Sequence, residues 1–209
     1  YKSDPQDSNY AFNNLLDIYM PETNENKHCW EKYCFSDYGV EPQRHKLWNY
    51  VTHTTRSSID TPGINNCAMA LEVFNNGGSG FLIWGTFIWD AERLACDNPW
   101  DDPGSYWGNG ALSYFYPPSK FGPTTEPTWK IVPSLRIQTY REGVDDFEYA
   151  KILEDLVATA RLRGEDVSEA EIVLKDIERF FPSTVHWSQN DTWYLDLRDR
   201  MARAIMALQ

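Results

Sequence analysis

Apolar positions follow two patterns along this chain: short runs in the first part and a helical repeat in the last third. The short runs predict four β-strands, because they are rich in aromatic and β-branched side chains. The predicted strands are residues 15–20, 47–53, 81–88 and 111–116. Between the second and third strands, Asp60-Thr61-Pro62 is a helix start signal, and the apolar spacing predicts a helix through Phe74.

From Ser134 onward the apolar positions recur with the helical period, which predicts three helices. Ser134 is placed to cap the first of them, and Gly164 is expected to end it. The second helix is predicted over 168–181 and the third over about 192–208.

The connections differ in length in a way that indicates where a site lies. The helix-to-strand turn at about 77–80 is very short, whereas the segments after residues 20, 88 and 116 are long, polar and aromatic. In parallel α/β folds the segments that leave the carboxyl ends of the strands carry the site. Because a complete barrel takes about 250 residues, four such strands predict the C-terminal half of a (β/α)8 TIM-type barrel, an α/β fold.

We therefore predict two regions. Residues 1–160 form the C-terminal half of the barrel, and residues 161–209 form a trailing helical segment packed on it. The partner that completes the sheet is the remainder of the barrel, supplied by an upstream chain, or a self-associating copy. The alternative is a free-standing α/β domain whose sheet is finished by another protein.

The charge and the aromatic content narrow the classes of ligand. A net charge of −12 disfavours nucleic acid and anionic membranes, which need clustered Lys and Arg, and no apolar run approaches the length of a bilayer span. Aromatic residues make up 15% of the chain, with nine Trp, and aromatic faces stack on the apolar faces of sugars. A carbohydrate therefore fits better, although each Trp could equally fill a core.

Cysteine usage and the start of the chain bear on location. Cys29 and Cys34 share a polar loop and could close a small disulfide in an oxidising compartment, whereas Cys67 is expected to be a buried thiol. With His28 they match no common zinc spacing, so we predict no metal and no cofactor. The chain begins at Tyr1 without a signal-peptide pattern, so any signal peptide is expected to be absent or already removed. We expect an extracellular or periplasmic protein.

The candidate substrate-binding residues are aromatic and polar side chains within the second and third predicted strands, at the carboxyl ends of the strands and in the loops that follow them. Each also has a simpler interpretation, as a packed aromatic or a solvated polar residue. Alternation cannot show which face of the third strand lines a barrel, because parallel strands are covered on both faces. The candidates are Trp84, Trp89, Asp90, Trp100, Glu22, Tyr50 and His53.

Four sequence blocks occur in order within residues 48–153. They are GFLIWGTFIW, NPWDDP, GNGALSYFYPPS and PSLRIQTYREGVDDFEYAKIL. In this order they resemble the C-terminal catalytic-domain signature of glycoside hydrolase family 123, which is also found in proteins with the domain of unknown function 4091. Phe147 departs from the Tyr that is usual in the last block, and Tyr114 and Tyr116 leave the register before Pro117 ambiguous.

The resemblance implies a (β/α)8 barrel with exo-acting β-N-acetylgalactosaminidase-like activity. In that family the acetamido group of the substrate attacks the anomeric carbon, a Glu protonates the leaving oxygen, and a neighbouring Asp orients the acetamido group. This chain contains no Asp-Glu dipeptide, so we expect the pair to be upstream or absent and assign no catalytic residue. The alternatives are a non-catalytic carbohydrate-binding relative and an assembly protein that pairs its strand edge with a neighbour.

Charged residues at the start of the long helix invite a catalytic interpretation, but we interpret them as mainly structural. Arg141 and Asp145 have the i,i+4 spacing of an ion pair on one helix face, and Gly143 suggests close approach to another element. The charged residues concerned are Arg136, Arg141, Asp145, Asp146 and Glu148.

Overall fold

A computed structural model describes residues 17–20, 46–51, 58–83, 85–86, 110–111, 113–116, 131–182 and 186–209. The strands within these residues are short, and the helices are long. The strands are β1 (Ile18–Tyr19), β2 (Lys46–Val51), β3 (Gly80–Ile83), β4 (Phe115–Tyr116) and β5 (Val132–Pro133). The helices are α1 (Ile64–Asn75), α2 (Leu135–Leu162), α3 (Ser168–Phe180) and α4 (Asp191–Leu208).

The first three strands form one parallel sheet in the order β1-β2-β3. Parallel pairing requires a crossover, and α1 provides the one between β2 and β3. The third strand ends at Ile83 rather than at the predicted residue 88. Gly85 has a φ of 70°, which lies outside the extended region, so the strand geometry does not continue through it.

The fourth predicted strand is shorter and pairs differently than expected. β4 pairs in antiparallel fashion with β5, which directly precedes α2, and each strand has two residues. Ser134 N–H donates to the Tyr114 carbonyl at 2.9 Å and extends this contact toward the helix. The strands of the described residues form no closed barrel, so the half-barrel architecture stays a prediction.

The predicted helices are present with small shifts at their ends. α2 begins after Ser134 as expected, but the Ser134 hydroxyl makes no capping hydrogen bond. Gly164 follows the end of α2 with a φ of 74°, which confirms the predicted stop. α4 begins one residue earlier than predicted, because the Asn190 side chain accepts from Trp193 N–H and caps it.

The main apolar core joins all four helices. α1 contributes Ala68 and Leu71, and α2 contributes Leu153, Val157 and two alanines. The residues from α3, α4 and their flanks are Val167, Ala170, Val173, Ile177, Phe180, Phe181, Tyr194, Leu197, Met201 and Ile205. Burial of each large side chain contributes about 1.5–3 kcal/mol. This core contains residues on both sides of the predicted division at 160/161, and that division stays a prediction.

α1 and α2 approach closely at Gly143. A Cβ at this position would collide with the backbone carbonyl of Cys67 on α1. A glycine inside a helix costs about 1 kcal/mol relative to alanine, and here the missing side chain makes the helix contact possible. The close approach predicted from Gly143 is confirmed.

Candidate functional site

The two faces of the parallel sheet have different neighbours. Phe81 and Ile83 of β3 pack against Met69 of α1 and Tyr140 of α2, so their face is covered by helices. Tyr50 is paired with Leu82, and alternation puts both on the opposite face. The structure therefore shows which face of β3 is turned away from the helices, which alternation alone left open.

Tyr50 is the predicted binding residue that lies within the described part of the chain. It is the second-last residue of β2, half-buried, and on the face opposite α1 and α2. The other candidates lie outside the described residues, and their assignment stays a prediction. They are Trp84, Trp89, Asp90, Trp100, Glu22 and His53.

Residues 110, 111 and 113–116, called here the rim segment, lie at the carboxyl end of β3. Phe115 N–H donates to the Thr86 carbonyl at 3.0 Å, just beyond that strand. A Cβ on Gly110 would lie 2.8 Å from Ile59 Cδ1, and Ile59 belongs to the stretch between β2 and α1. The rim segment thus touches two stretches that follow the carboxyl ends of strands, where sites of parallel α/β folds are found.

Arg136 holds the rim segment from the first turn of α2. It is 8% exposed, and its Nη1 and Nη2 donate to the carbonyls of Gly110 and Ser113 at 2.5 and 2.8 Å. Its guanidinium carbon lies 4.9 Å from the centre of the Tyr114 ring. A cation at a helix N-terminus is disfavoured by the helix dipole by about 0.3–1 kcal/mol, so these contacts outweigh an unfavourable position.

A pair of tyrosine hydroxyls forms a second contact between the rim segment and α2. Tyr114 and Tyr140 are buried, and their hydroxyl oxygens are 3.1 Å apart. The Tyr140 hydroxyl also lies 3.8 Å from Met69 Sδ, and thereby links the rim segment to α1. Sequence reasoning named Arg136 but missed Tyr140. The i,i+4 spacing of these two residues on one helix face was the signal that could have found it.

A second buried charge lies on the side of α2 that faces α4. Asp146 is 1% exposed, and its Oδ2 accepts a hydrogen bond from the Tyr194 hydroxyl at 2.7 Å. Arg198 Nε is 3.0 Å from Asp146 Oδ1, and Arg198 Nη1 is 2.9 Å from Glu142 Oε2. Asp146 therefore joins α2 to α4 through an uncharged donor and an ion pair.

Burial is the largest influence on the pKa values of Asp146 and Cys67. It raises the pKa of Asp146 to about 6, although the hydrogen bond from Tyr194 and the charge of Arg198 act in the opposite direction. Burial, followed by the negative charge of Asp146, raises the pKa of the Cys67 thiol to about 11. Cys67 is a free thiol and, with this pKa, a poor nucleophile at neutral pH.

The structure assigns the acids at the start of α2 to different environments. Asp146 lies between helices, whereas Asp145 and Glu148 are exposed. Arg141 does not form the predicted ion pair with Asp145 among the described residues, and it is Arg198 of α4 that pairs with Glu142 and Asp146.

A cavity of about 240 Å³ opens at the amino end of β3, opposite to the predicted site. Its walls are mostly apolar and come from α1, α2 and the start of β3, with Ser79 and Glu148 as polar members. In parallel α/β folds this end of the sheet carries structural turns, so the cavity does not replace the predicted cleft.

Within the residues that the structure describes, no three His, Cys, Asp or Glu side chains are grouped so that they could hold a metal ion. None of the described helices combines the length and the apolar character that a membrane span requires.

Comparison with solved structures shows a similarity of fold. The chain is similar to the structure of a family 123 glycoside hydrolase from Clostridium perfringens, with a TM-score of 0.59 and 15% sequence identity. The match covers 100% of this chain and 34% of that chain, so this chain spans about a third of the length of that enzyme. No family model matches the sequence, and no curated protein matches it. The fold is thus distantly related to that of a glycan hydrolase.

Proposed function

We propose that this chain is the C-terminal half of a glycosidase-like (β/α)8 barrel that hydrolyses N-acetylhexosamine-containing glycans of the N-acetylgalactosamine type. The observation that carries the proposal is the match of the whole chain to part of a family 123 enzyme, the structural analysis of which concerns glycolipid glycan hydrolysis. The ordered motif blocks and the parallel sheet with helices on one face support the same relation.

The proposed chemistry is substrate-assisted retaining hydrolysis. The acetamido oxygen of the sugar attacks the anomeric carbon while the bond to the leaving oxygen breaks, and a Glu gives that oxygen its proton. Water then attacks the anomeric carbon and gives a proton to the same Glu, while the bond from that carbon to the acetamido oxygen breaks and the acetamido group is restored. An Asp beside the Glu orients the acetamido group. These 209 residues contain no Asp-Glu dipeptide, so the proposal requires the pair to lie in sequence upstream of them.

The role of this chain is to shape and bind. The position of Tyr50 near the carboxyl end of β2, on the face opposite the helices, supports this proposed role. The Trp candidates supply stacking surfaces, and the acids and His53 supply hydrogen bonds to sugar hydroxyls. Such a role fits an extracellular or periplasmic protein that meets glycans outside the cytoplasm, and it needs no cofactor.

The test is an assay of the longest gene product that contains this chain. We expect release of p-nitrophenol from p-nitrophenyl β-N-acetylgalactosaminide, with slower release from its glucosamine epimer. Trp89→Ala and Asp90→Asn should each raise KM by about tenfold. Asp145→Asn, an exposed acid on α2, is the matched control and should leave KM unchanged. No release from either substrate, with an upstream Asp-Glu pair present, would exclude the substrate assignment.

The absence of an Asp-Glu dipeptide favours one alternative, a non-catalytic carbohydrate-binding relative of the same fold. A binding measurement distinguishes the glycan hydrolase from the non-catalytic carbohydrate-binding protein. Calorimetric binding of N-acetylgalactosamine without hydrolysis, in a gene product that also lacks the pair upstream, supports the binding protein.

A further inference from the structure

The rim segment is fixed to three neighbouring elements, although only two of its residues belong to a strand. Ser134 N–H at the start of α2 donates to Tyr114, Phe115 N–H donates to Thr86 after β3, and Ile59 before α1 packs on Gly110. These contacts come together at the carboxyl end of the sheet. A stretch with so little regular structure is normally mobile, so its fixation calls for a physical cause.

Arg136 provides that cause. Its planar guanidinium directs two N–H groups at the Gly110 and Ser113 carbonyls at once, which the ammonium of a lysine, a point charge, does less well. The turn at Gly110 has a φ of 73°, and a Cβ there would lie 3.2 Å from Arg136 Nη2. The absence of a side chain at Gly110 therefore lets the turn lie close to the guanidinium of Arg136.

We propose that Arg136 is a positioning residue of the glycan site, which fixes the backbone of the rim segment and thereby the shape of the sugar-binding surface at the carboxyl end of β3. The inference rests on the proposed function. Arg136 is buried and contacts the rim segment, so it acts on the sugar through that backbone and takes no part in the chemistry. Its loss therefore weakens substrate binding and leaves the chemical step nearly unchanged.

The first measurement is amide hydrogen exchange on the longest gene product that contains this chain. In Arg136→Met, the amides of Phe115 and Ser134 should exchange at least about tenfold faster, while amides inside α3 and α4 keep their rates. Arg141→Met, an exposed arginine on the same helix, is the matched control and should change neither set. Unchanged exchange at Phe115 and Ser134 overturns the inference.

The second measurement is steady-state hydrolysis by the same variants. Arg136→Met should raise KM by about tenfold with kcat within about threefold, and Arg136→Lys should lie between it and the wild type. If Arg136→Met does not fold, the lysine variant still gives both readouts. Faster exchange with unchanged KM, or a loss of activity that only follows the folded fraction, overturns the inference. No hydrolysis by the wild type overturns the proposed function, and this inference with it.

Discussion

Arg136 and Asp146 are both buried on one helix, α2, but they are held in different ways. Arg136 donates to backbone carbonyls of the rim segment. Asp146 accepts from the side chain of Tyr194 and lies beside Arg198, both on α4. The first charge therefore fixes irregular backbone at the carboxyl end of the sheet, and the second joins one helix to another.

The difference has a physical consequence for the two regions. The acceptors of Arg136 in the rim segment are backbone carbonyls, which have no proton to gain or lose when the pH changes. A carboxylate can take up a proton, and burial raises the pKa of Asp146 to about 6. We therefore expect the packing of α2 against α4, called here the helical region, to change in stability near that pH. The attachment of the rim segment to α2 should not change.

The largest expected effect is at the contact that brings α2 against α1. Gly143→Ala places a Cβ against the Cys67 carbonyl, and the helices must separate, so we expect a loss of about 3 kcal/mol in the free energy of unfolding. Gly63→Ala is the control, because a Cβ there meets no atom within 4 Å. Urea unfolding measures both, and a loss below about 1 kcal/mol at Gly143 would contradict the close approach.

The next effect is the pH dependence that Asp146 gives to the helical region. Its pKa is raised from 3.8 to about 6 in the folded state, so the folded state binds the proton more tightly than the unfolded state does. Its contribution to stability is full below pH 3.8 and is lost as the pH rises to about 6. A shift of about two units corresponds to about 3 kcal/mol.

Asp146→Asn removes this ionisation and keeps an acceptor for the Tyr194 hydroxyl. The free energy of unfolding of the variant minus that of the wild type should therefore rise by about 2 kcal/mol between pH 4 and pH 7.5, because the unfolded carboxyl is already partly ionised at pH 4. The groups around Asp146 are Cys67 on α1, Glu142 and Asp145 on α2, and Tyr194 and Arg198 on α4. Asp145→Asn, at an exposed position, is the control, and a parallel pH curve for Asp146→Asn would refute the prediction.

A smaller effect is expected where the rim segment meets α2 through hydroxyls. Tyr140→Phe removes the group that faces the Tyr114 hydroxyl at 3.1 Å, and we expect a loss of about 1 kcal/mol. Tyr149→Phe on the same helix is the control, since Tyr149 is half-buried and its hydroxyl bonds to none of the described residues. If both variants lost the same free energy of unfolding, the contact between the two hydroxyls would add no stability beyond that of the packed ring.

The helices could be predicted from sequence because their signals are local and repeated. The apolar period and Gly164 gave α2 its bounds, and Gly143 indicated a close contact before any partner was known. The strands were predicted less well. The extended pattern runs through residue 88, but the positive φ of Gly85 breaks it, and the antiparallel partner of β4 lies far along the chain.

The site was less predictable than the fold, for a related reason. Alternation could not show which face of the sheet Tyr50 occupies, because the answer depends on where α1 and α2 pack. The role of Asp146 depends on Tyr194, which lies 48 residues away, and no local pattern connects them. Arg136 and Tyr140 both contact Tyr114, and their i,i+4 spacing alone could have placed them on one helix face.

The smallest expected effect comes from an exposed ion pair, Arg161 with Glu171, which joins α2 to α3. Arg161 Nε lies 3.0 Å from Glu171 Oε1, but the two side chains are 59% and 31% exposed. Water and salt screen such a pair, so a double-mutant cycle should give a coupling of at most about 0.5 kcal/mol, and less in 1 M salt. A coupling above about 1 kcal/mol would show that geometry matters more than exposure. Burial would then be a weaker reason to expect that Asp146 makes the stability of the contact between α2 and α4 depend on pH.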